Sequence, residues 1–135
     1  MAQTIPNPGP AGSPAAPELD CERLDCYRLA VEFQTFAAGI GSNRRVNATL
    51  RGQLDRASVS TVLCIAEGAG RRTVRDKAHF FTIARGSATE CAAVLDLLLA
   101  RGLLTPTHHR HGRGLLIRIV QMTTRLIARH AASGA

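Results

Sequence analysis

A run of apolar and small residues recurs at steps of four and three positions in the second half of the chain, and it limits the fold more than any other feature. The run consists of Phe80, Ala84, Ser87, Cys91, Val94 and Leu98. This spacing lines up side chains on one face of a helix and is typical of the seam of a helical bundle. Phe81, Ala88 and Leu95 widen the seam. We therefore predict a long helix over about 73–101, with Thr73 as its N-cap, that contacts two neighbouring helices.

Three further segments show helical spacing of apolar residues. They lie at about 25–40, from Asn47 or Thr49 to Glu67, and at about 111–131. The breaks between segments carry glycines, polar residues or Pro106, which commonly mark helix ends. Aromatic residues form only 4% of the chain and Trp is absent, so the core must come from aliphatic side chains, which suit helix packing. These patterns predict an all-α protein, an antiparallel up-and-down four-helix bundle.

The N-terminal segment differs in composition from the rest of the chain. Five of the six prolines lie in residues 1–17, mixed with Gly, Ala and Ser. Such a segment cannot bury enough apolar surface to offset the entropy lost on ordering. We expect a disordered tail over 1–17 and a single bundle domain over 18–132, in line with the chain length of 135 residues.

The four cysteines do not follow a secretory signal, because the N-terminus lacks both a basic and an apolar region. We therefore expect a reducing compartment and a cytoplasmic protein. Cys64 and Cys91 fall on apolar helical faces and are expected to be small core residues. The spacing of Cys21 and Cys26 matches no metal motif. Charges interrupt every apolar run before the ~18 residues needed to span a bilayer, so no membrane partner is expected.

The positive charge is concentrated after the first predicted helix. The whole chain carries +7, but residues 1–43 hold two Arg against five acidic residues, whereas the remainder holds 15 basic against five acidic residues. This asymmetry favours an anionic partner such as RNA or DNA, although an Arg-rich genome composition explains it equally well. The residues expected to contact phosphate lie in the loops and along helix four: Arg44, Arg45, Arg71, Arg72, Arg75, Lys77, Arg110, Arg113, Arg118, Arg125 and Arg129.

The fourth predicted helix is apolar over an unusually wide arc. One face carries Leu115, Ile119, Met122 and Leu126. Ile117, Val120 and Ile127 form a second face, while arginines occupy the polar side. Excess apolar surface on one helix usually indicates that another molecule covers it. We therefore expect helix four to contact other subunits of an oligomer.

Some polar residues could be read as catalytic or metal-binding. The carboxylates Glu67 and Glu90 could serve acid–base chemistry, but they are expected instead to form a structural polar network with Arg71, Arg85 or the hydroxyls of Ser58 and Ser87. Ser58 and Ser60 lack a His and an Asp to activate them as nucleophiles, and we predict that the protein is not an enzyme and has no cofactor.

Three histidines, His108, His109 and His111, could hold a transition metal. Adjacent histidines in a loop point in different directions, and no helical i, i+4 pair with a carboxylate is predicted here. A solvated loop that adds positive charge at lower pH is the alternative, and it is the one we adopt.

The second and third predicted helices carry the clearest family resemblance. The runs LDRASVSTVLCIAEGAGRR (54–72) and FFTIARGSATECAAVLDLLLARGL (80–103) resemble the four-helix-bundle proteins encoded within intervening sequences of bacterial 23S ribosomal RNA genes, and LDCYRLAVEF (24–33) is similar to their opening helix. The resemblance spans about residues 24–126. One departure is Cys64, which stands where the family usually carries Asn.

This resemblance implies a homopentamer of bundles with a basic surface. It also implies kinship with the accessory variability proteins of diversity-generating retroelements, which bind nucleic acid and a reverse transcriptase. The leading hypothesis is thus an oligomeric basic scaffold that binds nucleic acid, and the resemblance implies a role as accessory to a reverse transcriptase. The alternative is a purely structural or protein-interaction oligomer whose arginines make salt bridges between subunits.

Overall fold

The computed structural model describes residues 16–133, and over this range the chain forms four long helices and no strand. They are α1 (Asp25–Gly41), α2 (Ala48–Gly70), α3 (Val74–Ala100) and α4 (Pro106–Ser133), preceded by a 3₁₀ turn at Asp20–Arg23. The all-α prediction is confirmed. The predicted tail, 1–17, falls almost wholly outside the described residues. None of the helices in this part of the chain is long and apolar enough to cross a membrane.

The helices pack in a closed order in which each contacts its neighbours in sequence and α1 also contacts α4. Contacts between α3 and α4 show that the two run in opposite directions. Arg85, early in α3, donates to Thr124 late in α4, whereas Asp96 pairs with His109 in the first turn of α4. The helices form the predicted up-and-down bundle.

Two of the predicted N-caps and one C-terminal stop are observed. The Asn47 side chain accepts a hydrogen bond from the Leu50 amide at 2.9 Å, and the Thr73 hydroxyl accepts one from the Asp76 amide at 3.1 Å. These contacts satisfy amides that have no partner within the helix. Gly102 ends α3 with φ +69°, and the next amide, that of Leu103, reaches back to a carbonyl of α3. Glycine adopts this left-handed conformation without steric cost.

The predicted end of helix two at Glu67 is wrong, because α2 continues to Gly70. Gly68 does not stop the helix; it is buried at the contact between α2 and α3. A Cβ at Gly68 would stand 2.9 Å from the Phe81 ring. The Lys77 ammonium then donates to the carbonyls of Gly68 and Ala69, at 3.4 and 2.8 Å, and so satisfies the end of the helix.

Helix four begins earlier than the predicted 111, because Pro106 is its first residue rather than a boundary outside it. Proline suits the first helical position, where no amide hydrogen is needed. The Thr105 hydroxyl accepts a hydrogen bond from the His108 amide at 3.2 Å. The histidines therefore lie in the opening turns of α4, and the prediction that they form a loop is wrong.

The core follows the predicted face of α3, with one shift. The first buried residue of α3 is Phe81 rather than Phe80, which is only half-buried. The buried core residues of α3 are Phe81, Ala84, Ala88, Cys91, Val94, Leu95 and Leu98.

The surplus apolar face predicted for α4 is largely absorbed within the subunit. Val120 and Ile127, assigned to a second face, pack against the core as half-buried residues. Ile117, at 39% exposure, is the one large hydrophobic residue described as exposed on α4. The prediction of a wide uncovered face on this helix is wrong, because α4 packs between α1 and α3 and both neighbours cover it.

Candidate nucleic-acid interface

The bundle sorts the predicted basic residues to its two ends, except Arg118, which is exposed in the middle of α4. One end, here called the single-loop end, contains the α2–α3 loop, the start of α1 and the end of α4. The other, the double-loop end, contains the α1–α2 and α3–α4 loops. The 27 residues of α3 span about 40 Å at 1.5 Å per residue, so cations at opposite ends do not form one patch within a subunit.

The single-loop end carries the larger basic group. Its members are Arg71, Arg72, Arg75, Lys77, Arg125 and Arg129. The Arg71 guanidinium lies 4.7 Å from the centre of the Phe80 ring and pairs with Glu67 at 3.5 Å, so its position is held from two sides. Arg72 and Arg75 are exposed beside it. Positive groups here also lie beside the C-terminal, negative end of the α2 dipole, which stabilises them.

Lys77 has a structural role that the sequence did not indicate. Its ammonium bonds to two carbonyls at the end of α2 and its side chain is partly buried. A phosphate contact by Lys77 would therefore compete with its hydrogen bonds to α2. Arg72 and Arg75 are exposed and form no ion pair with the described residues, so they are better placed to contact phosphate.

The double-loop end holds Arg44 and Arg45 in one loop and Arg110 and Arg113 at the start of α4, all of them exposed. The Arg45 amide donates to the Asn43 side chain at 3.0 Å, which fixes the turn that presents the two arginines.

Arg51 braces the same loop from α2. Its guanidinium donates to the carbonyls of Val46 and Asn43 at 2.9 and 3.3 Å. Sequence reasoning did not single out Arg51, because nothing local distinguishes an arginine that supports a loop from one that faces solvent.

The polar network predicted for Ser58, Glu67, Ser87 and Glu90 is dispersed in the structure. Ser58 bonds to the Asp55 carbonyl of its own helix at 3.1 Å, and Glu67 pairs with Arg71 as described above. Ser87 instead meets Ser60 across the α2–α3 contact, with 2.8 Å between the two hydroxyl oxygens. The four predicted side chains thus take separate partners rather than one shared network.

Glu90 has its own group of partners on α2. The Gln53 amide nitrogen donates to Glu90 at 2.8 Å, and the Gln53 oxygen accepts from Arg56 at 3.0 Å. Glu90 therefore helps to fix the register of α2 and α3, which is the role expected for it, although through different residues.

The three histidines of α4 also have separate surroundings. His109 lies 2.8 Å from Asp96 of α3, and the His111 ring lies 5.7 Å from that of Phe36 in α1. His108 is exposed. Among the residues that the structure describes, no three His, Cys, Asp or Glu side chains are grouped to hold a metal ion.

The cysteines behave as core residues, with one exception. All four are free thiols; Cys21, Cys26 and Cys91 are buried, whereas Cys64 is only half-buried. Burial raises the pKa of the Cys26 thiol to about 11 and that of Cys91 to about 12. Neither is a reactive nucleophile at neutral pH. The Cys64 sulfur lies 3.7 Å from the Ser60 hydroxyl at the α2–α3 contact, so this thiol has a polar neighbour.

A sequence model of the family described as 23S rRNA-intervening sequence protein matches residues 22–125. The match covers nearly all of the bundle, from the 3₁₀ turn to late in α4. No curated protein matches the chain.

Proposed function

Since this chain belongs to the 23S rRNA-intervening sequence protein family, we propose that it is a non-enzymatic, oligomeric basic scaffold in the cytoplasm that binds the phosphate backbone of RNA or DNA. One observation carries the proposal: most of its surface arginines are not neutralised by its own acids. Arg44, Arg45, Arg72, Arg75, Arg110, Arg113, Arg118 and Arg125 make no ion pair with the residues that the structure describes.

The single-loop end is the main binding surface in this proposal. Arg72 and Arg75 are exposed there beside Arg71, and Arg125 is exposed on α4. Cations that bind phosphate release condensed counterions, so several modest contacts add up to a salt-dependent affinity. This end also carries carboxylates, among them Asp76 in the first turn of α3. Glu18, Asp25 and Glu67 are paired with Arg23, Arg28 and Arg71, whereas Arg72 and Arg75 make no ion pair with the described residues.

Binding by this surface would depend on backbone charge and read little sequence. Base stacking needs exposed aromatic rings, but Phe33 and Phe81 are buried, and Phe80 is covered by the Arg71 guanidinium. Tyr27 and Phe36 are half-buried in the bundle. The described surface thus offers phosphate contacts without a stacking platform.

We further propose that the scaffold is a homopentamer, as the family resemblance implies, and that its outer α2–α3 face contributes to the contact between copies. Large exposed hydrophobic residues gather on these two helices. Val59 and Leu63 on α2 are 38% and 60% exposed, and Ile83 and Leu97 on α3 are 38% and 47% exposed. Symmetry in a ring would repeat each basic end and convert weak contacts into multivalent binding. A reverse transcriptase, also implied by the resemblance, is the proposed protein partner.

A salt titration tests the proposal. Fluorescence anisotropy of labelled RNA and DNA probes with the full chain, at increasing salt, should show a steep and similar loss of affinity for probes of different sequence. Light scattering on the same sample gives the oligomeric state. An oligomer that binds no probe even at low salt would contradict nucleic-acid binding and favour a purely structural or protein-interaction oligomer. A monomer would contradict the scaffold itself.

A further inference from the structure

A cleft separates the start of α1 from the last turns of α4, at the single-loop end. Its volume is about 310 Å³, and three arginines line it: Arg23 from the 3₁₀ turn, and Arg125 and Arg129 from α4. These residues are roughly a hundred positions apart in the chain, so only the packing of α1 on α4 brings them together. Three guanidinium groups around one concave site are suited to an anion with several oxygen atoms.

Two of the three cations at the cleft, Arg23 and Arg125, are open to such an anion. Arg125 makes no ion pair with the described residues, and the ion pair of Arg23 with Glu18 is 3.9 Å long between exposed side chains. One carboxylate, Asp25, also lines the cleft, but it is engaged by Arg28. The excess of cations over carboxylates in the lining leaves the site positive.

The start of α1 adds to this field. Leu24, at the N-cap of α1, provides no side-chain hydrogen bond to the first amides of the helix. These amides form the positive end of the helix dipole, and Leu24, Asp25 and Cys26 line the cleft. The dipole therefore acts in the same direction as the arginines.

Apolar side chains form the rest of the cleft. Leu24, Met122 and Leu126 are half-buried there. A bare inorganic ion would leave these side chains without a partner, whereas a ligand with a ring beside its phosphate would cover them. The flexible Met122 side chain is well suited to a ring that varies in shape.

We infer that this cleft binds a phosphomonoester attached to a nucleoside, such as the 5′-terminal nucleotide of a nucleic acid strand. A terminal phosphate carries nearly two negative charges at neutral pH, whereas each internal phosphodiester carries one. A strand end also enters a cleft between two helices more easily than a segment that continues on both sides. This inference rests on the proposed nucleic-acid binding, to which it adds recognition of a chain end.

Matched probes and variants test the inference with the full chain. A single-stranded oligonucleotide with a 5′-phosphate is compared with the same strand ending in a 5′-hydroxyl, by anisotropy at fixed salt. The cleft variants are Arg23→Gln and Arg125→Gln. Arg101→Gln is the control, because it removes the same charge from an exposed position at the opposite end of the bundle. Circular dichroism confirms that each variant is folded.

The wild-type protein is expected to prefer the 5′-phosphorylated strand by about tenfold, as strong charge-assisted hydrogen bonds allow. Both cleft variants should abolish this preference, whereas Arg101→Gln should keep it. Equal binding of the two probes by the wild type would overturn the inference while leaving backbone binding intact. Loss of the preference in Arg101→Gln to the same extent would also overturn it.

Two further outcomes separate the inference from the proposed function. Binding of the phosphorylated strand alone would support the cleft and contradict general backbone binding. Failure of both probes to bind would overturn both. Competition by adenosine 5′-monophosphate identifies the source of the ligand: displacement as effective as that by the unlabelled phosphorylated strand would assign the cleft to free nucleotides rather than to strand ends.

Discussion

Gly112 of α4 lies directly against the ring of Phe36 in α1. A Cβ at Gly112 would stand 2.5 Å from Phe36 Cε1 and 2.8 Å from Leu95 Cδ1 of α3. Three helices thus meet at a position that has room for no side chain. Two residues later, a Cβ at Gly114 would meet nothing within 4 Å. The two glycines look equivalent in the sequence, yet one is required by packing and the other is not.

The two glycines should respond oppositely to substitution by alanine. Gly112→Ala is expected to lower the free energy of unfolding by about 1–3 kcal/mol, because Phe36 and Leu95 must move. Gly114→Ala is expected to raise it by about 0.5–1 kcal/mol, since alanine loses less backbone entropy in a helix interior. Urea unfolding followed by circular dichroism measures both. Equal effects of the two changes would contradict the close contact at Gly112.

His130 is predicted to make the bundle less stable in mild acid. Its ring stacks on that of Phe81, with 5.8 Å between ring centres, and burial, followed by the charges of Lys77 and Arg129, lowers the pKa of His130 below its ordinary value. Because the folded state favours the neutral ring, its contribution is fully present above about pH 6.5 and is lost as the pH falls further.

Unfolding measured between pH 7.5 and pH 5 tests the role of His130. His130→Gln should show a smaller loss of unfolding free energy with acid than the wild type. His108→Gln is the control, because it makes the same substitution at an exposed position of the same helix. An identical pH profile for wild type and His130→Gln would argue against the prediction.

The thiols should differ in reactivity according to their burial. Cys64 is half-buried, whereas burial raises the pKa values of the Cys26 and Cys91 thiols to about 11 and about 12. A disulfide reagent at pH 8 should label Cys64 first and the buried thiols only after unfolding. Cys64→Ser should remove the fast phase, while Cys91→Ser should leave it in place. A fast phase that persists in Cys64→Ser would show that another thiol is accessible.

The two basic ends should contribute unequally to nucleic-acid binding. Arg72→Gln/Arg75→Gln alters the single-loop end and Arg44→Gln/Arg45→Gln the double-loop end, each with loss of two exposed charges. If the single-loop end binds duplex DNA, the first variant should lower the slope of log K against log salt by about 1.8, at about 0.9 per phosphate contact. The second should change it little. The reverse pattern would move the binding surface to the other end.

Local sequence patterns predicted the helices well but misplaced some of their ends. The apolar spacing of α3 and the caps Asn47 and Thr73 agree with the structure because both depend on residues close together in the chain. Gly68 and Pro106 were misinterpreted because each residue type has two uses. Glycine can end a helix or allow another helix to approach, and proline can follow a helix or begin one. For Gly68, only its contact with Phe81 shows that the glycine allows another helix to approach.

The basic residues of the candidate interface also have some properties that are local in the sequence and others that depend on the tertiary structure. Their positions in loops and along α4 were predictable, because charge and loop signals are local. The separation of all but Arg118 into two ends about 40 Å apart was not predictable, since it depends on the direction in which each helix runs.

The amino-acid sequence alone establishes four amphipathic helices, through the spacing of apolar side chains, and an excess of arginine, through composition. Both are properties of single residues and their neighbours in the chain. Which cations share a site was settled by packing. Arg23 and Arg125 line one cleft only because α1 and α4 lie side by side. Lys77 is partly buried because its ammonium donates to a carbonyl at the end of α2. Such contacts join residues far apart in the chain, and their geometry exists only after the helices have buried their apolar faces against one another.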